Sequence, residues 1–361
     1  MLTITEYLKE IFEKFKEHCD EETENMWEPN SYTSQLKNNS PRLDSGGTSI
    51  YDNPTVQQMY LLKYAYAYGF EYLSICNEFM EDFADQEEIS VVSLGCGTML
   101  DYWALACMLD QKRMSRPVVK YYGIDAIKWN HSLETQARDK DTVKFFQESF
   151  ADFFKRHDNE FNTHDVYFFP KSISEFSVKK NGKIDEASDM GLMLNNLSAM
   201  KKDTIYFCIA LRKNNNGVAK EDVGKVQKII DRLEDEKNGF HVKEVKCITN
   251  TEATVSKLEE SGLHLGDVTS ILLGRKQNGK DKKIWDTDIA KNILGYPQIS
   301  EDDPITGYRE VLQKKCKYRS PEKGDPCEGC NKDCKIEFEK TMTATNYICD
   351  LIIKVEKKRT L

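Results

Sequence analysis

The stretch from Glu88 to Asp101, EISVVSLGCGTMLD, constrains this chain more than any other: an apolar run halts at Gly95, Cys96 and Gly97, and an acid follows at Asp101. A buried parallel strand that ends in a glycine turn and feeds a helix builds a pocket for a nucleotide-like ligand at the strand's carboxyl end. Gly95 and Gly97 carry no side chain, so the backbone can turn sharply and come close to a bound molecule. A second apolar run, Val118 to Ile124, stops at Asp125 about one βαβ unit further on, where a carboxylate can accept hydrogen bonds from ribose hydroxyls. A glycine turn alone is weak evidence, because ordinary tight turns use the same residues; the spacing to Asp125 gives it weight. A nicotinamide site would need a third small residue where helix packs on strand, and that position is Leu100, so no pyrophosphate cradle is predicted.

VVSLGCGTMLDYWAL followed by YYGIDAIKW resembles the first two motifs of the class I S-adenosylmethionine-dependent methyltransferases, a superfamily with a seven-stranded Rossmann-like α/β sheet. The resemblance covers about residues 88 to 275, with a final strand near 348 to 355. It implies that Gly95, Cys96 and Gly97 lie beside the methionine moiety of S-adenosylmethionine, Asp101 near its amino group and Asp125 under the ribose. Ala126 and Ile127 would flank the adenine, and Ser149 and Phe150 fall where the superfamily often contacts the adenine amino group and ring. Cys96 is expected as a small spacer, not a nucleophile.

Three regions follow: 1–84, an N-terminal helical extension with a flexible segment at 26–54; 85–275, the methyltransferase-like domain; and 276–361, a C-terminal region. At 361 residues the chain can bury a substantial core. Its net charge of -9 argues against holding nucleic acid by a global basic field, although a local basic patch is compatible with it. There is no apolar run of about 18 residues, and the start MLTITEYLKEIFEKFKE lacks the form of a secretory signal, so a cytoplasmic protein with no membrane partner is expected. Most of the eleven cysteines stand singly in apolar segments, as reduced thiols in a core do.

Apolar spacing predicts a helix over residues 1 to 25 and a second from Pro54 to about Phe83. On the latter, Tyr60, Tyr64, Tyr68 and Tyr72 recur every four residues. Core packing with hydroxyls at the rim is the favoured reading of that stripe, and only Tyr51 and Tyr60 are expected to reach the mouth of a pocket. Strands are expected at Val91–Leu94, 118–124, 143–147, 165–169, 204–211 and 240–248, with shorter ones near 270–273 and 347–355. Residues 143–147 could equally belong to a continuous amphipathic helix. The last strand is expected at an antiparallel sheet edge. The tip of the fourth strand faces the cofactor crevice in a doubly wound sheet, which makes FFPKSISEF the substrate side, with Lys171, Ser172 and Glu175 as tentative catalytic residues. Lys171 as a surface lysine and Ser172 as a helix cap are the competing assignments.

CKYRSPEKGDPCEGCNKDC brings Cys316, Cys327, Cys330 and Cys334 together among turn-forming residues. Four thiolates, two in a C-x-x-C knuckle, suit a tetrahedral soft metal, with zinc the first choice and an iron–sulfur cluster the second. Four cysteine ligands leave no open position, so the module is expected to be structural or to recognise a partner. Its basic neighbours make it a candidate grip for RNA or an acidic protein. The expected activity is methyl transfer to an acceptor, with RNA or protein slightly ahead of a small molecule. A non-catalytic scaffold whose metal module binds a partner is the alternative.

Overall fold

The computed structural model describes residues 3–21, 50–52, 54–178, 185–214, 217–251, 253–273, 276–277, 280–281 and 348–358. Seven helices of at least seven residues are labelled α1 (Ile4–Glu21), α2 (Pro54–Phe79), α3 (Leu100–Gln111), α4 (Phe150–Arg156), α5 (Asp189–Leu197), α6 (Lys220–Glu234) and α7 (Ala253–Glu260). The main strands are β1 (Glu88–Leu94), β2 (Val118–Asp125), β3 (Thr142–Gln147), β4 (Val166–Pro170), β5 (Thr204–Ala210), β6 (Phe240–Thr249), β7 (Val268–Leu272) and β8 (Cys349–Lys357).

One eight-stranded sheet runs in the order β3-β2-β1-β4-β5-β8-β6-β7. The resemblance implied seven strands and the sheet has eight; the short strand expected near 270–273 is β7, parallel to the end of β6. β8 is antiparallel to both neighbours, as expected, but it is an interior strand between β5 and β6 and not an edge. The largely apolar core of β8, LIIKV, fits that place: Leu351, Ile352, Ile353 and Val355 are buried, and Lys354 pairs with Asp82. Residues 142–147 form a strand paired with β2, not part of a helix, and β-branched Thr142 and Val143 with paired phenylalanines suit that choice.

β1 pairs with β2 on one side and β4 on the other, all parallel. The chain order therefore reverses at the β1/β4 junction, and a crevice opens outside the carboxyl ends of these strands. The sheet separates two apolar layers. On one face Phe70, Phe79, Tyr102 and Trp103 from α2 and α3 pack with residues of α1. On the other, α4, α5 and α6 supply Phe153, Met193, Ile229 and Leu233. α2 reaches Phe79 and gives way to a 3-10 turn over Met80–Phe83, within the predicted helical span. Most of the segment at 26–54 and the whole module at 316–334 lie outside the described residues. No described helix is long and apolar enough to cross a membrane.

Candidate active site

The carboxyl end of β1 is pinned to its two neighbours. Gly95 and Cys96 donate their backbone N–H to the Ile124 carbonyl at 2.7 and 3.2 Å, and the Ser172 hydroxyl donates to the Leu94 carbonyl. Gly95 adopts φ +76°, and a Cβ there would stand 2.5 Å from Ser172 Cβ and 3.6 Å from Phe150 Cζ. Sequence, turn and packing thus require glycine at the same point. Gly97 has φ +52°, and a Cβ there would stand 3.8 Å from the indole of Trp129. Met99 (φ 63°) before α3 and Lys171 (φ 61°) after β4 also adopt the left-handed region, which costs a non-glycine residue roughly 1–2 kcal/mol. Arg113, in the turn after α3, adopts it as well (φ 54°), so two of the three such residues among those described flank this crevice.

Asp125 ends β2 with both carboxylate oxygens oriented by backbone. Gly97 N–H donates to Oδ2 and Ile127 N–H to Oδ1, each at 2.9 Å. Each oxygen keeps a second lone pair for another donor. Burial raises this carboxyl to about 6, against the pull of those two N–H groups. The indole N–H of Trp129 bears on the same carboxylate, yet it meets no hydrogen-bond acceptor in full geometry among the described residues. A buried donor and a half-satisfied carboxylate together form a polar rim with unused valence.

Other predicted residues divide between this rim and the interior. Cys96 turns back over β2, with its Sγ 2.8 Å from where a Cβ on Gly123 would sit, and burial pushes its thiol up. Asp101 is 2% exposed. Both its oxygens accept from the Tyr121 hydroxyl at 2.9 Å, and burial raises the carboxyl to about 6. Asp101 therefore braces α3 against β2 from inside the core. Ala126 is exposed and Ile127 half-buried beside Asp125. Ser149 caps α4 through the Asp152 N–H, while Phe150 stacks on Phe176 with centroids 4.4 Å apart, under Gly95.

The β4 tip differs from its predicted roles. Lys171 is no surface lysine: its ammonium pairs with Glu71 of α2 and lies 5.4 Å from the centre of the Tyr68 ring. Ser172 is likewise buried and spends its hydroxyl on Leu94 instead of capping the following turn. Glu175 alone of the three opens to solvent. Lys225, itself buried, holds the preceding Ser174 carbonyl at 2.9 Å and so fixes the turn that presents Glu175. Protein around the Glu175 carboxyl and the negative charge of Asp125 raise it to about 7. The field of the Asp125 carboxylate thus reaches Glu175.

Trp129 and Glu71 carry signals that sequence reasoning did not use: a tryptophan four residues past the strand-end acid, and a lone acid inside the apolar helix segment YAYAYGFEYLSIC. Among the described residues no group of three or more His, Cys, Asp or Glu is arranged to hold a metal ion. Cys316, Cys327, Cys330 and Cys334 lie outside the described residues.

No family model matches the chain, and no curated protein does. Solved structures similar to it include a Listeria monocytogenes protein described as a class I S-adenosylmethionine-dependent methyltransferase, 14% identical with TM-score 0.39, over 68% of this chain and 82% of that one. The plantazolicin methyltransferase BpumL in complex with SAH is 10% identical with TM-score 0.34, and the match covers 99% of each chain. Coclaurine N-methyltransferase bound to N-methylheliamine and SAH is 11% identical with TM-score 0.32, over 79% of this chain and 70% of that one. At such identities and TM-scores the functional reading rests on the residues of the site itself.

Proposed function

We propose that this chain is an S-adenosylmethionine-dependent methyltransferase whose cofactor lies across the β1/β4 crevice. The observation that carries the reading is Asp125: a carboxylate at the tip of β2, oriented by the Gly97 and Ile127 N–H groups, with a lone pair on each oxygen still to be used. A ribose diol supplies two hydroxyl donors to such a group. The neighbouring parts fit the same ligand. Gly95 and Gly97 bring bare backbone to the crevice, and Trp129 and Phe150 offer ring surfaces on either side of it. Ile127 is half-buried and adds apolar surface beside the ribose site.

When bound, the cofactor supplies a methyl carbon on a cationic sulfur, so the transferred bond changes partner while its electron pair stays on sulfur. The chain's own work is orientation and proton handling. Holding both reactants in line is worth about 7–11 kcal/mol of barrier in favourable cases. An acceptor that loses a proton on methylation needs a base, and Glu175, raised to about 7, is tuned for that near neutral pH. Lys171 is committed to Glu71, and Ser172 to Leu94, so they support the site without reaching into it.

The RNA or protein acceptor read from the sequence rests on residues 316–334. For that module the proposal is a structural zinc on Cys316, Cys327, Cys330 and Cys334, supported by ligand type and knuckle spacing. Elemental analysis finding neither zinc nor iron would remove it. For the cofactor, Asp125→Ala should weaken S-adenosylmethionine binding by about 1.5–3 kcal/mol in calorimetry, the range for hydrogen bonds to a charged group. Unchanged affinity would take Asp125 out of the site, and the methyltransferase reading with it.

A further inference from the structure

The tyrosine stripe of α2 packs on the core but leaves one side open. Its neighbours Leu61, Leu62, Ala65, Tyr66 and Phe70 are essentially inaccessible, whereas Tyr60, Tyr64 and Tyr68 keep part of their surface open to solvent. Only Tyr72 is buried, against Phe168 of β4. The open rings continue without a break to the cofactor corner. Tyr64 stacks on Tyr68 at 5.3 Å with planes 5° apart, Tyr60 meets Tyr64 at 5.0 Å, and Tyr60 and Tyr51 lie 5.4 and 5.5 Å from Trp129, the ring over Gly97. Packing around the hydroxyls of Tyr51, Tyr60 and Tyr68 holds all three well above the ordinary phenol range although solvent still reaches the residues. Rings enclosed on most sides and open on one line a recess.

Charge says what the recess excludes. Glu175 and Asp125 are acids at its mouth, and the field of Glu175 is felt at Tyr51. On the cationic side, Lys171 is neutralised by Glu71, Lys63 lies 5.1 Å from the centre of the Tyr64 ring, and the field of Arg212, just past β5, reaches both Tyr68 and Glu175. Among the described residues these two cations facing two carboxylates form no continuous track for a polyanion backbone.

We infer that the recess walled by Tyr51, Tyr60, Tyr64, Tyr68 and Trp129 holds the methyl acceptor, a free, planar aromatic molecule bearing an ionisable hydroxyl or amine, with Glu175 as the group that takes its proton. This rests on the methyltransferase reading of the same crevice. A flat ring stacks edge-on or face-on against such a wall, gaining contact that a saturated ring of equal size loses. The balance closes with the residues named: the acceptor heteroatom gains the methyl, the sulfur keeps the pair of the broken bond, and the acceptor proton passes to the Glu175 carboxylate.

The test uses the full chain and 2-naphthol as probe, with decahydro-2-naphthol as its saturated control. Equilibrium dialysis, run with and without SAH, should show 2-naphthol bound about tenfold more tightly than the control, and Tyr64→Leu should weaken it several-fold. With methyl-labelled cofactor, Glu175→Gln should leave 2-naphthol binding in place but slow its methylation and abolish the rise in rate as pH climbs through about 7. Equal binding of the two probes, no binding of either, or retention of a single-stranded RNA oligonucleotide alone would overturn the inference. Calorimetry with SAH on the same preparation separates the two levels. SAH bound with no preference for the flat ring sinks only the acceptor assignment, and SAH unbound sinks the cofactor reading.

Discussion

Two carboxylates stand at the carboxyl edge of the sheet and have opposite surroundings. Asp125, at the tip of β2, receives two backbone N–H donors and keeps an open side. Asp350, second residue of β8 and in register with Ala210 and Ile248, is fully buried, and neither of its oxygens has a hydrogen-bond partner among the described residues. Burial and the nearby Glu71 push its carboxyl well above the usual range, which favours its protonated form. A carboxylate surrounded by oriented donors and left with spare lone pairs is arranged to bind. One deprived of donors keeps its proton and serves packing. The same contrast explains Lys171. It faces Glu71 and Asp350 together, and with Asp350 protonated the buried cluster of two acids and one ammonium is electrically neutral.

The largest effect that could break this account comes from Lys171→Met. Removing the ammonium strands Glu71, which is 0% exposed, and losing one partner of a buried pair costs about 3–5 kcal/mol. Urea unfolding should show that loss, whereas a cost under about 1 kcal/mol would mean that Glu71 also carries a proton and that no ion pair exists. Gly95→Ala should come next. The positive φ is worth roughly 1–2 kcal/mol and the 2.5 Å approach to Ser172 adds an overpacking cost of about 1–3 kcal/mol. A change confined to stability, with cofactor affinity intact in the folded fraction, would show that the corner shapes the fold more than the ligand site.

Titration sharpens the comparison further. An unfolded aspartate releases its proton near the ordinary value of 3.8, but Asp101 and Asp125 hold theirs to about 6 in the fold. Between these values the fold binds more protons at these two groups than the unfolded chain does, so their contribution to stability should decline as pH rises from about 4 to about 6 and change no further above it. Asp125→Asn should remove its share of the decline. Thermal melts across that window check the sign, and a stability that rises with pH there would contradict the burial of both groups.

Much of the crevice was legible because its elements are written locally. Apolar runs closed by Gly95 and by Asp125 specify strand ends without reference to the rest of the chain, and β4 and β5 read equally well from DVYFF and TIYFCIAL. What was illegible depends on lateral position. The sequence of β8 announces a strand, but nothing in LIIKV says that it enters between β5 and β6, because its partners lie over a hundred residues away in the chain. The burial of Lys171 was illegible for the same reason: its partner Glu71 belongs to α2, so exposure could not be judged from FFPKSISEF alone. The open side of the tyrosine stripe was illegible because four-residue spacing specifies a helix face without saying how much of it the sheet covers.

The smallest effect is the most discriminating. Asp350→Asn exchanges a carboxyl for an amide of nearly equal shape. If Asp350 carries its proton in the fold, the change alters no charge and should cost no more than about 1 kcal/mol. If instead Lys171 were shared between two ionised acids, the same substitution would remove one of its counter-charges. It would also relieve an unpaired buried carboxylate, and neither change depends on pH in the neutral range. The neutral case predicts that the wild type loses stability relative to the variant as pH rises from 5 to 8, because its unfolded aspartate releases the proton that the folded one keeps. The ionised case predicts parallel curves over that range, because neither protein then exchanges a proton at this position on unfolding. Parallel curves would place charge on Asp350 and erase the difference drawn between the two carboxylates at this edge of the sheet.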